Sequence, residues 1–77
     1  MRTALNLITA ANQALDQADR LIAKGEGRFA YTWVEVADDA IDRLVEISNP
    51  PASLVRDLRD RAAGAALGAL SFAKSAA

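Results

Sequence analysis

The sequence predicts an all-α fold, a three-helix antiparallel bundle running up, down and up. Three observations carry this. Apolar residues recur at three- and four-residue spacing in three long segments. Glycine and proline interrupt the chain at two places between them. No second strand-like run exists to pair with the one short segment that alternates. The expectation is a single helical domain over residues 1–77, with helices at about 3–24, 32–48 and 51–74.

In the first segment Ala4, Leu7, Ile8, Ala11, Ala14, Leu15, Ala18, Leu21 and Ile22 share one helical face. Asn6, Thr9, Asn12, Gln13, Asp16, Gln17, Asp19 and Arg20 take the other. Thr3 is the expected N-cap. Lys24 suits the negative end of the helix dipole, and Gly25 is placed to take the left-handed conformation that ends a helix.

The stretch FAYTWVEV alternates and is rich in aromatic and β-branched residues, which would suit a short strand. With no partner strand available, a helix start is favoured. Thr32 and Glu35 have capping-box spacing, with Tyr31 and Val36 as its staple, although the helix has room to begin nearer Arg28. Phe29, Tyr31 and Trp33 are expected to plug one end of the bundle; the other reading is an exposed anchor. The segment ends near Ser48 because Pro50 and Pro51 cannot continue it.

The third segment starts near Pro51. Leu54, Val55, Leu58, Ala62, Ala65, Ala69, Phe72 and Ala73 carry its stripe. Arg56 with Asp60 and Asp57 with Arg61 are spaced for pairs along the helix. Gly64 and Gly68, with Ser71 and Ser75, form a ridge of small residues. Beyond Arg61 the segment is apolar on more sides than one bundle contact covers. Gly64, Leu67, Gly68 and Leu70 are therefore candidates for self-association as a homodimer, against packing on the alanine-rich first helix.

Charge is segregated. The chain has a net charge of −1, yet Thr32 to Ser48 holds five acids and one base, a local −4. Met1 to Tyr31 is +1 and Asn49 to Ala77 is +2. On a helical wheel Glu35, Asp38, Asp39, Asp42 and Glu46 form one ridge, each within about 60° of Glu35. The helix dipole accounts for Glu35 and for Asp38 at most. Asp42 and Glu46 are not covered by it, and three pairs of like charge at i,i+4 oppose the helix. The ridge is either a solvated face or a binding surface for a basic protein partner.

Seventy-seven residues make one small domain that buries only about 60% of the surface its unfolded chain exposes. With no cysteine and no histidine, disulfides, thiolate metal sites and the commonest general base are excluded. The expectation is no catalysis, no metal and no cofactor. The uncharged run Ala62 to Ala73 is too short for a membrane span, which needs about 20 residues, and no membrane partner is expected. The front of the chain resembles a signal peptide in composition, but its apolar stripe runs on past Asp16, so it reads as structure and the protein as cytoplasmic. Arg56, Arg59 and Arg61 are interleaved with Asp57 and Asp60, which would repel phosphates, so direct nucleic-acid binding is not expected. A small helical DNA-binding regulator is the weaker alternative, and a homo-oligomeric adaptor built on the third helix the stronger one. In charge spacing alone, the acidic ridge resembles a run of phosphates. Small phage and mobile-element inhibitors, anti-CRISPR proteins among them, use such ridges against nucleic-acid-binding machinery. The same role is the functional expectation here.

Overall fold

A computed structural model describes the backbone of residues 2–76 and the side chains of residues 3–70. The order is α1 (Arg2–Ala23), α2 (Gly27–Ile47) and α3 (Ala52–Ala76). The three helices pack against one another as a bundle about 42 × 18 × 15 Å. Two buried clusters set its direction. One joins Ala14, Leu15 and Ala18 of α1 to Ala30, Val34 and Ala37 of α2 and Ala62, Ala65 and Ala69 of α3. The other joins Ala11 of α1 to Ala40, Ile41 and Leu44 of α2 and Leu58 of α3. Moving toward the end of α1 therefore moves toward the start of α2 and the end of α3. That is the up-down-up arrangement, with α2 antiparallel to both neighbours.

The first connection is only three residues long. The Gly25 N–H donates to the Ile22 carbonyl at 3.0 Å and the Glu26 N–H to the Leu21 carbonyl at 2.8 Å. This is the paired bonding of a Schellman cap, and Gly25 takes the positive φ of 81° that it requires. The chain is thus turned at once, and α2 begins at Gly27, five residues before Thr32. The expected capping box is not the helix start: Thr32 and Glu35 lie inside a helix already running, and both are exposed. The early start adds Ala30 to the buried face, one turn before Val34. α1 likewise begins at Arg2, which places Thr3 within its first turn and not at the cap.

α2 ends where Ser48 goes extended (φ −143°, ψ 170°), its hydroxyl and its N–H both donating to the Leu44 carbonyl. α3 starts behind Pro51, whose carbonyl accepts from Leu54 and Val55. Phe72, Ala73, Ser71 and Ser75, expected in the stripe and the small-residue ridge, have side chains outside the described residues.

The core is made of small residues. Of the fourteen buried apolar side chains among the described residues, nine are alanine. Alanine-lined faces let helix axes approach to the lower end of the usual range, about 8 Å. Neither buried cluster includes an aromatic ring. Phe29, Tyr31 and Trp33 are accordingly exposed, and the expected aromatic plug is not formed.

Candidate helix-face interaction site

All five carboxylates of the ridge, Glu35, Asp38, Asp39, Asp42 and Glu46, project from the outer face of α2 and are exposed. With α2 starting at Gly27, Glu35 is its ninth residue, and the first turn holds no acid. The dipole acts only within about one turn of a helix end. It therefore stabilises neither Glu35 nor Asp38, and the ridge is a mid-helix feature throughout.

One member is neutralised inside the molecule. Arg59 Nη2 of α3 lies 3.0 Å from Asp42 Oδ1. Among the described residues, Glu35, Asp38, Asp39 and Glu46 make no salt bridge.

A second polar contact was not expected from the sequence. Arg61 of α3 reaches α1, where Nη1 donates to Asn12 Oδ1 at 3.1 Å and Nη2 contacts Asp16 Oδ1 and Asp19 Oδ2. Asn12 is oriented for this by donating its amide to the Ile8 carbonyl. The hydrogen bond from Arg61 to Asp16 pushes the guanidinium pKa up, against partial desolvation, with Asp19 adding to the rise. The expected pairing of Asp57 with Arg61 is thus replaced by a tie between α1 and α3. Among the described residues no Arg56–Asp60 pair forms either. Arg59 and Arg61 of α3 thus both have intramolecular carboxylate partners.

The apolar surface is concentrated as well. Nine large apolar side chains are exposed among the described residues, and six belong to α2: Phe29, Tyr31, Trp33, Val36, Val45 and Ile47. On the helical wheel Tyr31 falls within the acidic ridge, Val45 on its α3 side, and Phe29, Trp33, Val36 and Ile47 on its α1 side. Single exposed apolar residues are ordinary, but aromatics grouped on one helix mark contact surfaces. An available signal for this was the alanine content of all three stripes.

On α3, Leu67 is 68% exposed and Leu70 is exposed beside it. Gly64 faces open space, whereas Gly68 faces Ile22 of α1. The four residues expected to form one self-association surface are therefore divided. Gly68 serves the packing of α3 on α1, and Gly64, Leu67 and Leu70 face outward.

No family model, curated protein or solved structure matches this chain. The reading of its function rests on the surface just described. Among the described residues no group of acidic side chains is placed to hold a metal ion, and no helix is long and apolar enough to cross a membrane.

Proposed function

We propose that this chain is a small non-enzymatic protein-binding module whose working surface is the outer face of α2. The observation that supports the reading is the company its carboxylates keep. Glu35, Asp38, Asp39 and Glu46 stand mid-helix without ion partners among the described residues, beside a row of exposed apolar side chains, Phe29, Trp33, Val36 and Ile47. A solvated face alone needs neither the unmixed charge nor the aromatics. In this reading the ridge occupies a basic site that a partner keeps for phosphate, and the chain acts in the cytoplasm as an inhibitor of nucleic-acid-binding machinery, of the phage or mobile-element kind. Charge steers the encounter and the apolar row holds the complex.

The test is affinity capture from the relevant cell extract with the wild-type chain and with the Asp38→Ala/Asp39→Ala variant, washed at low and then at high salt. The expected result is a partner retained at low salt, shed as ionic strength rises, and lost with the variant. A partner held equally by the variant at physiological salt would make the ridge a solvated face.

A second reading is a homo-oligomeric adaptor. It is supported by the outward Gly64, Leu67 and Leu70 of α3. Sedimentation of the chain at tens of micromolar distinguishes it. A dimer or larger species abolished by Leu67→Glu is expected of the adaptor, and a clean monomer removes it.

A further inference from the structure

A trough of about 470 Å³ runs between α1 and α2, with Ala10, Gln13, Gln17 and Arg20 on one wall and Trp33 and Val36 on the other. Phe29 extends the α2 wall by one turn, since Phe29, Trp33 and Val36 stand at i, i+4 and i+7. That is the spacing at which one helix offers holes to the side chains of another. Among the described residues nothing covers it: Phe29 is 62% exposed and Trp33 40% exposed.

The two walls differ in charge. Going round α2 from Val36 away from α1, Asp39 follows at about 60° and Glu35 at about 100°. Arg28 and Arg43 stand at the two ends of this acidic stretch. The α1 wall has two neutral amides and Arg20, and its Asp16 is held by Arg61. An occupant must therefore be apolar along its floor, basic on the flank over α2, and neutral or acidic on the flank over α1.

From this geometry we infer that the trough receives an amphipathic basic helix of the partner protein. The inference rests on the acidic face of α2 being the working surface, and it names the element that meets it. Leucine-sized residues at i, i+3, i+4 and i+7 of the partner helix seat against Phe29, Trp33 and Val36. Lysine or arginine on one flank pairs with Glu35 and Asp39. The acidic ridge then fixes the rotation of the helix in the trough, and the aromatic row supplies the apolar area.

Trp33 is the only tryptophan, so its fluorescence reports the trough directly. Three synthetic peptides serve as probes against the full chain: a lysine-flanked amphipathic helix, the same apolar face flanked by glutamate, and a scramble of the basic peptide with no apolar face. The expected result is a blue shift of Trp33 emission with the first peptide alone, weakened by added salt. Phe29→Ala/Val36→Ala should raise its Kd about tenfold or more, as loss of well-packed contacts does. Both positions are exposed, and circular dichroism verifies that the variant keeps its helices. Equal binding of the scrambled peptide with Trp33 emission unmoved overturns the inference while leaving the ridge as a basic-partner surface. Equal binding of the glutamate-flanked peptide, or binding of none, also overturns it.

Discussion

A Cβ built on Gly68 would stand 3.2 Å from Cδ1 of Ile22, so α3 passes α1 closely enough that any side chain there presses on Ile22. Four residues earlier, a Cβ on Gly64 would meet nothing within 4 Å. The two glycines lie in one helix and differ only in what faces them. Gly64→Ala should stabilise the fold by about 1 kcal/mol, the helix-propensity gap between the two residues. In a domain this size that corresponds to a rise in Tm of about 4–8 °C. Gly68→Ala should gain clearly less, because the Ile22 side chain must shift by a few tenths of an ångström to admit the methyl. Thermal melts of the two variants side by side give the comparison. An equal rise in both would mean that Ile22 yields freely.

The tie from Arg61 to Asn12, Asp16 and Asp19 joins the two helices of the bundle that pack least extensively on each other. Its charged groups are more than a third exposed, so solvent screens it. Arg61→Ala should cost about 1 kcal/mol or less, with the loss shrinking in high salt. Arg61→Lys should recover only part of it, since an ammonium lacks the fork that spans three acceptors. Urea denaturation at two salt concentrations measures both effects.

Leu15 and Ile41 are fully buried, and Phe29 is not. Ile41→Ala should cost about 2–5 kcal/mol, which is a large share of the stability of so small a domain. Phe29→Ala should stay within about 0.5 kcal/mol of the parent, as surface substitutions do. Denaturation midpoints distinguish them. A large loss at Phe29 would restore the ring to the core.

Removing acids from the ridge should help the fold. Asp38→Ala/Asp39→Ala relieves the repulsion of Asp38 by Asp42 and of Asp39 by Glu35, and alanine is the better helix former. The pair leaves the Asp42–Arg59 contact intact. The variant should melt at or above the parent temperature, so a loss of partner binding in the same protein is a loss of surface and not of structure. A lower melting temperature would show that these carboxylates are stabilising.

The helix count, the turn at Gly25, the stop before Pro50, the apolar stripes and the acidic ridge were legible in the sequence, because each depends on residues within a few positions of one another. Period and backbone preference act locally, and Gly25 takes the positive φ its position announced. The start of α2 was not legible. The Thr32 capping box is a local signal, and the helix instead starts at Gly27, where it carries Ala30 into the core cluster with α1 and α3. The places of the aromatics, of Gly68 and of the arginines were decided by tertiary structure for the same reason. Each depends on how closely a second helix approaches. The packed helices leave Phe29, Tyr31 and Trp33 exposed, set Ile22 against Gly68, and give Arg61 partners on α1 in place of Asp57 on its own helix, with Arg59 reaching Asp42 of α2. The sequence determined which faces are apolar and which are charged. Which apolar side chains remained on the surface, and which charges found partners on another helix, was decided by how the helices pack.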